Sequence, residues 1–220
     1  MSGNHRRFDA VIFDNDGLLL DTEESWTRAE EVLFERRGRE FTPAHKRELL
    51  GSSPKAAAAT LERMLDAPGK GGKLIMELGL LVLAEMGRYA PPRRGALELI
   101  ARLQAARIPM GLASNAPRML VDRALASAEI EPSTFAAILT ADVVTDPKPA
   151  PEIYLATCAA LGTEPARTLV LEDSPTGIAA AIAAGCYTIA VPSIAGLDLE
   201  QASLVVDSLA APEITQALGL

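Results

Sequence analysis

The sequence predicts an α/β protein: a parallel sheet covered by helices, with a separate all-helical segment. Short apolar runs of strand length alternate with longer, alanine-rich stretches that have a helical pattern. Strands that alternate with helices form parallel sheets with helices on both faces. The predicted strands are residues 11–13, 110–113, 138–140, 169–171, 188–191 and 204–206, and the helices between most of them are residues 96–106, 117–128, 151–161 and 178–184.

One stretch interrupts this alternation. From residue 22 to about residue 88 the pattern is helical throughout, and the glycines Gly38, Gly51 and Gly71-Gly72 are predicted as helix ends. We therefore predict two domains: an α/β core domain formed by residues 1–21 and 90–220, and a helical cap domain formed by residues 22–89. A helical segment inserted after the first strand can act as a lid over a site at the strand ends.

Composition limits the possible partners. The chain has 220 residues, of which 49% are hydrophobic, and a formal net charge of -8. This charge repels nucleic acids and anionic membranes, so neither is expected as a partner, although a local cationic site could still bind a small phosphorylated metabolite. We do not expect the N-terminal residues to be a signal peptide, because Asp9 and Asp14 interrupt the apolar run that follows them, and no apolar segment of the sequence has the length of a membrane span. We expect a cytoplasmic protein that is a monomer or a weak homodimer.

The two cysteines, Cys158 and Cys186, both lie among apolar residues. Two buried free thiols in a reducing compartment are favoured over a disulfide.

Polar side chains follow several predicted strands directly. Because ligands of an open parallel sheet bind at the carboxyl ends of its strands, these residues are expected to converge on one site. They are Asp14 and Asp16 after the first strand, Ser114 and Asn115 after the second, Lys148 beyond the third, and Glu172 and Asp173 at the end of the fourth.

Four carboxylates on one edge would repel each other strongly if nothing compensated them. A hard divalent cation removes this conflict, and Mg²⁺ prefers carboxylate and carbonyl oxygens. Lys148 offsets part of the remaining charge. Glu172 and Asp173 could also be a helix cap, since Ser174 and Pro175 follow them.

An anion site is predicted beside these acids. Ser114 supplies a hydroxyl, the helix that begins near Pro117 supplies backbone N–H groups, and Lys148 supplies a positive charge. Taken alone, Ser114-Asn115 would be an ordinary N-cap and Lys148 a surface lysine. Together with Mg²⁺, the site suggests phosphoryl transfer without a glycine-rich nucleotide loop. An aspartate can be the nucleophile, and a second acid can move the proton.

The sequence resembles the haloacid dehalogenase-like hydrolases, in the subgroup with a helical cap after the first motif. The resemblance rests on four segments in the order of that family: "DNDGLLLDTE", "ASNAP", "DPKPAPEIY" and "LEDSPTGIAAAIAAG". It implies a Rossmann-like core with an inserted cap. Asp14 would be the nucleophile, and Asp16 the general acid/base, whose backbone carbonyl also binds Mg²⁺.

The resemblance also implies the remaining site roles. Ser114 and Lys148 would hold the transferring phosphate with help from Asn115, whereas Glu172 and Asp173 would hold Mg²⁺, Asp173 more directly. The sequence departs from the family at Pro147, where a glycine often precedes the lysine.

The implied activity is that of a Mg²⁺-dependent phosphatase for small phosphate monoesters, with sugar or polyol phosphates favoured, through an aspartyl-phosphate intermediate. An acid at position 16 favours phosphate esters over halides. The alternatives are a hexose phosphomutase of the β-phosphoglucomutase type, a phosphoglycolate phosphatase, and a non-enzymatic binding protein. The mutase is disfavoured because Trp26 stands where its cap carries a histidine, and Pro54 where its cap carries an arginine.

Substrate-binding residues in the cap are predicted by position only. The main candidates are Glu23, Trp26, Ser52 and Lys55, with His45 and Ser53 as further ones. Trp26 could be a stacking wall for a sugar or an apolar anchor of the cap, and the second interpretation is favoured.

Overall fold

A computed structural model describes residues 7–86 and 90–220 of the chain. In this part of the chain, six parallel strands form one sheet in the order β3-β2-β1-β4-β5-β6. The α/β fold predicted from the alternating pattern is therefore confirmed. The strands are β1 (Ala10–Phe13), β2 (Met110–Ser114), β3 (Ala137–Thr140), β4 (Thr168–Glu172), β5 (Tyr187–Ala190) and β6 (Leu204–Val205).

Helices follow the predicted pattern, with small shifts at their ends. The helix predicted from residue 178 begins three residues earlier, because Ser174 caps it by accepting a hydrogen bond from the Gly177 N–H. The helix predicted from residue 117 begins one residue later, after Pro117. The helices are α1 (Glu23–Glu35), α2 (Pro43–Leu49), α3 (Pro54–Met64), α4 (Gly71–Met86), α5 (Ala96–Ala105), α6 (Arg118–Ser127), α7 (Glu152–Leu161), α8 (Pro175–Ala183) and α9 (Pro212–Leu218).

The sheet is buried on both faces. Successive residues of β1 point to opposite sides, as strand geometry requires, so that Val11 and Phe13 join one apolar cluster while Ile12 joins another. The second cluster includes residues of α7 and α8, such as Ile153 and Ala180. Because the centre of the sheet is closed to water on both faces, polar residues of the central strands can meet solvent only at the strand ends.

Residues 22–89, which we call the cap segment, contain α1–α4 among their described residues. α1 and α3 pack against α4, and α4 also packs against α6 of the α/β part. Leu78 and Val82 of α4 belong to the same apolar cluster as Val11 and Phe13 of β1. The division into two domains at these boundaries stays a prediction.

Gly71-Gly72 was predicted as a helix end, and this is wrong: the pair begins α4. The Glu62 carboxylate of α3 accepts a hydrogen bond from the Gly71 N–H at 2.6 Å. The first N–H groups of a helix have no partner within the helix, and here the Glu62 side chain supplies one. The glycine pair can therefore begin a helix instead of ending one.

The two thiols are free and buried, as predicted. Cys158 Sγ and Cys186 Sγ lie 3.9 Å apart, which is too far for a disulfide bond. No helix in the described ranges combines the length and apolar character that crossing a membrane requires.

Candidate active site

The predicted polar residues converge at the carboxyl ends of the strands. Six of the seven line one cavity between the strand ends and the cap segment, whose empty volume of about 920 Å³ includes open solvent. The seventh, Glu172, is fully buried below it. The six cavity residues are Asp14, Asp16, Ser114, Asn115, Lys148 and Asp173.

Lys148 lies between two buried carboxylates. Its Nζ donates to Asp14 Oδ1 and to Glu172 Oε1, both at 2.6 Å, and to the Ala113 carbonyl at 2.9 Å. Burial by itself lowers the pKa of a lysine, but the two carboxylates outweigh burial and raise the pKa of Lys148. Lys148 is therefore an ammonium ion that compensates much of the negative charge beneath the cavity.

Asn115 fixes the loop that carries Lys148. Its Oδ1 accepts a hydrogen bond from the Lys148 N–H at 3.0 Å, and its Nδ2 donates to the Lys148 carbonyl at 3.1 Å. Nδ2 also donates to the Gly51 carbonyl of the cap segment at 3.0 Å. Both amide hydrogens are thus used on backbone carbonyls. The side chain thus holds the Lys148 loop and contacts the cap segment, and its predicted help in binding phosphate stays a prediction.

Glu172 is surrounded by donors. Oε1 accepts hydrogen bonds from Lys148 Nζ and from the Tyr154 hydroxyl at 2.6 Å. Oε2 accepts from the N–H groups of Asp173 and Ser174 and from the Ser174 hydroxyl. Burial alone would raise the pKa of Glu172, but the Lys148 charge and these hydrogen bonds hold it below its usual value. Sequence reasoning missed Tyr154, whose only signal is its place in "DPKPAPEIY".

Asp14 and Asp173 accept fewer hydrogen bonds than Glu172, although Lys148 donates to Asp14 and partly opposes the rise of its pKa. Burial, acting together with the negative charge of neighbouring carboxylates, raises the pKa of both side chains well above the usual range of an aspartic acid. Asp173 Oδ2 is buried and has no hydrogen-bond partner in the described part of the chain. An additional positive charge would therefore be needed to keep both Asp14 and Asp173 ionised.

These residues fit a hard divalent cation. Carboxylate oxygens of Asp14, Glu172 and Asp173 lie within 4.8 Å of one another, and all three residues are buried. Oxygen ligands of this type suit Mg²⁺. Gly17 keeps the space beside Asp173 open: a Cβ atom there would lie 2.3 Å from Asp173 Oδ2, and the positive φ of 81° is one that favours glycine.

Asp16 has a different environment, formed by neutral donors. Its Oδ1 accepts hydrogen bonds from the Thr22 hydroxyl at 2.9 Å and from Trp26 Nε1 at 3.1 Å. Its Oδ2 accepts from the Ser114 hydroxyl at 3.3 Å. Trp26 lines the cavity and packs against the apolar cluster. Its hydrogen bond to Asp16 is a role that neither interpretation of the sequence included.

The cap candidates separate into two groups. Glu23, Trp26 and Ser52 line the cavity, whereas Lys55 is exposed and is not among the lining residues. His45 and Ser53 also lie outside the lining. His45 forms a capping box with Thr42 at the start of α2, and the Ser53 hydroxyl caps α3.

Two charged residues of the cavity were missed, Glu30 of α1 and Lys46 of α2. Lys46 Nζ lies 3.0 Å from Glu23 Oε2 and 3.1 Å from Glu30 Oε2. We call these three residues the cap triad. Glu23 and Glu30 are seven residues apart, so they share a face of α1, but nothing in the sequence places Lys46 beside them.

Burial raises the pKa of Glu30 from 4.5 to about 7, although the neighbouring Lys46 partly opposes this. Burial would lower the pKa of Lys46, but Glu23 and Glu30 reverse the effect and raise it. The triad therefore places one ammonium ion and two carboxyl groups on the side of the cavity formed by the cap segment.

Comparison with known proteins gives a family match over most of the chain. The model of the haloacid dehalogenase-like hydrolase family matches residues 11–191. Validoxylamine A 7'-phosphate phosphatase of Streptomyces hygroscopicus subsp. limoneus is 32% identical, and the match covers 83% of this chain and 84% of that protein. The phosphorylated carbohydrates phosphatase of Thermotoga maritima is also 32% identical, with coverage of 80% and 82%.

Among solved structures, the fold is similar to that of CbbY from Rhodobacter sphaeroides, crystallised in complex with phosphate. The two chains are 28% identical and superpose with a TM-score of 0.84, over 97% of this chain and 100% of the other.

Replacing Glu30 is expected to change how stability depends on pH. Because the pKa of Glu30 is about 7 in the folded protein and its ordinary value is 4.5, the unfolded chain loses this proton first. Between these values stability therefore falls as the pH rises. As the pH is raised from 5 to 8, the free energy of unfolding of Glu30→Gln should increase by about 2 to 3 kcal/mol relative to that of the wild type, because glutamine has no proton to lose. Urea denaturation followed by circular dichroism measures this difference.

Glu35→Gln is the matched control, because Glu35 is exposed on the same helix. The interpretation fails if the wild type and Glu30→Gln show parallel pH dependence.

Proposed function

Because the chain belongs to the haloacid dehalogenase-like hydrolases, we propose that it is a Mg²⁺-dependent phosphatase of sugar or polyol phosphates that acts through an aspartyl-phosphate intermediate. The motif-based resemblance to this family is confirmed by the family match. Together with the relatives that are named phosphatases, the match also confirms the prediction of a phosphoric monoester hydrolase. The metal, the intermediate and the substrate class are the proposal.

One observation carries the mechanism: two aspartates line the same cavity in contrasting environments. Asp14 is buried and paired with Lys148, whereas Asp16 is partly exposed and held by three neutral donors. Different environments give neighbouring carboxyl groups different roles. Asp14 is suited to attack phosphorus, and Asp16 is suited to exchange a proton with the ester oxygen and with water.

In the first step, a carboxylate oxygen of Asp14 forms a bond to phosphorus while the bond to the ester oxygen breaks. Asp16 gives its proton to that oxygen, and the alcohol leaves. In the second step, Asp16 takes a proton from water, which attacks the phosphorus of the aspartyl phosphate. This releases inorganic phosphate and restores the Asp14 carboxylate.

We assign the binding of the phosphate group to Lys148 and Ser114. The Lys148 ammonium already lies 2.6 Å from Asp14 Oδ1, so it is close to the oxygen that attacks. The Ser114 hydroxyl lies beside Asp16, and its oxygen accepts a hydrogen bond from the Ala116 N–H at 3.0 Å. Asn115 contributes by fixing the Lys148 loop.

Mg²⁺ would be held by the carboxylates of Asp14 and Asp173 and by the backbone carbonyl of Asp16. When bound, it neutralises negative charge on the carboxylates and on the phosphate. Glu172 lies within reach of the same ion. Because its oxygens already accept five hydrogen bonds, we assign it to holding Lys148 rather than to direct contact with the metal.

The decisive experiment measures phosphate release from sugar, polyol and small acid phosphates, with Mg²⁺ and with EDTA. We expect Mg²⁺-dependent release, and none above background from Asp14→Asn, which lacks the nucleophile but keeps the Lys148–Glu172 contact that supports its fold. Circular dichroism checks that fold.

Turnover by Asp14→Asn would overturn the mechanism. β-Glucose 1-phosphate, with and without glucose 1,6-bisphosphate, tests the mutase alternative. Its isomerisation to glucose 6-phosphate without free phosphate would contradict the phosphatase. Release confined to phosphoglycolate would contradict the sugar-phosphate class.

Asp16→Asn is expected to slow turnover by about 10²–10⁴-fold, which is the usual size of general acid–base catalysis. Asparagine can keep an oxygen toward Thr22 and Trp26, while the Ser114 hydroxyl can rotate to accept from the new amide. Mg²⁺ affinity, measured by isothermal titration calorimetry, should change little, because the proposed ligand is a backbone carbonyl. A loss of affinity as large as the loss of rate would contradict this role.

Trp26→Phe should lower kcat about tenfold or more while changing KM little. It keeps an aromatic ring but removes one of the two donors to Asp16 Oδ1, and hydrogen bonds to charged groups contribute about 1.5–3 kcal/mol. Steady-state kinetics of the single and double variants separates this role from simple packing.

If Trp26 acts through Asp16, its replacement has no further effect on kcat in the Asp16→Asn background. Multiplicative losses in the double variant would mean that Trp26 acts independently of Asp16.

A further inference from the structure

The cap triad lines the same cavity as the proposed catalytic residues, on the side formed by the cap segment. Trp26 of α1 contacts Asp16, and Glu30 lies four residues further along the same face of this helix. Four residues correspond to about 6 Å along a helix axis. A substrate held at Asp14 by its phosphate would therefore direct its remote end toward Glu30 and Lys46.

The triad is unusually well shielded from water for charged side chains. The exposed fractions of the Glu23, Lys46 and Glu30 side chains are 12%, 11% and 4%. Burying such ions is costly unless each finds partners, and apolar residues of similar size would often be as stable. Apolar residues do line other parts of this cavity, namely Leu49, Ala57, Ile75 and Leu78.

Hydrogen-bonding capacity remains unused in the triad. Lys46 is close to one oxygen of each glutamate, which leaves one ammonium hydrogen for another acceptor. Within residues 7–86 and 90–220, Lys46 is the one side chain that pairs with the Glu23 and Glu30 carboxyl groups. Hydroxyl groups of a ligand can both accept from the ammonium and donate to the carboxylates.

The charge of the triad argues against a second phosphate. The two glutamate side chains offset the charge of the single lysine, so the triad offers no net positive charge to an anionic group. We propose that Glu23, Glu30 and Lys46 select substrates whose end remote from the phosphate carries hydroxyl groups, and that they exclude bisphosphates. This inference rests on the proposed function and specifies its substrate class.

The test compares kcat/KM for four esters in the presence of Mg²⁺: glucose 6-phosphate, sorbitol 6-phosphate, fructose 1,6-bisphosphate and p-nitrophenyl phosphate. The wild type should prefer the hexose and hexitol monophosphates to the bisphosphate. In Glu23→Gln/Glu30→Gln, Lys46 loses both negative partners. The ratio of kcat/KM for the bisphosphate to that for glucose 6-phosphate should therefore rise about tenfold or more.

Glu35→Gln provides the matched control, because Glu35 lies on the same helix but is exposed and outside the cavity. Its selectivity ratio should equal that of the wild type. If the double variant does not fold, as judged by circular dichroism, the isosteric Glu30→Gln makes the same test with a smaller expected rise.

Two outcomes overturn the inference while the proposed function stands. The first is a wild type that hydrolyses fructose 1,6-bisphosphate as well as the monophosphates. The second is an unchanged selectivity ratio in a folded glutamine variant. Absence of phosphate release from every ester, including p-nitrophenyl phosphate, overturns the proposed function and this inference together.

Discussion

The buried ammonium of Lys148 is the interaction on which the proposed site depends. It lies 2.6 Å from a carboxylate oxygen of Asp14 and 2.6 Å from one of Glu172, at the ends of two adjacent strands. Removing the ammonium would leave two buried carboxylates without their shared positive charge, which is strongly destabilising. Asn115 holds the Lys148 backbone and Tyr154 donates to Glu172. These contacts keep Lys148 and Glu172 in the positions in which their charges compensate each other.

A second constraint joins the cap segment to this charged centre. Trp26 of α1 donates to Asp16, and the Gly51 carbonyl accepts from Asn115, the residue that fixes the Lys148 loop. The surroundings of Asp16, the proposed general acid/base, and of the loop that carries Lys148 thus both include groups from the cap segment. In the proposed mechanism, proton transfer is coupled to the position of the cap because a donor to Asp16 is carried by its first helix.

The cavity has two groups of polar residues with different chemistry, one at the strand ends and one on the cap segment. At the strand ends, Lys148 compensates only part of the charge of the buried carboxylates, and this arrangement favours a cation and a phosphate. On the cap segment, one lysine between two glutamates is suited to uncharged hydroxyl groups. Apolar residues such as Leu78 and Leu120 contribute to the walls of the cavity. In the proposed mechanism, the residues at the strand ends would carry out the reaction, whereas the cap triad would select the substrate.

The sheet and the residues at its strand ends could be predicted from the sequence, because apolar runs of strand length and their alternation with helices are local properties of the chain. The positions of Asp14, Asp16, Ser114 and Lys148 at one edge were likewise predicted correctly, since parallel strands bring their carboxyl ends together. The prediction for Gly71-Gly72 was wrong, because Glu62 of α3 accepts a hydrogen bond from the Gly71 N–H and α4 begins there. The packing of helices and strands brings Trp26 to Asp16, Tyr154 to Glu172, and Lys46 to Glu23 and Glu30. These contacts depend on how separate helices and strands pack, and no spacing within one segment records that packing.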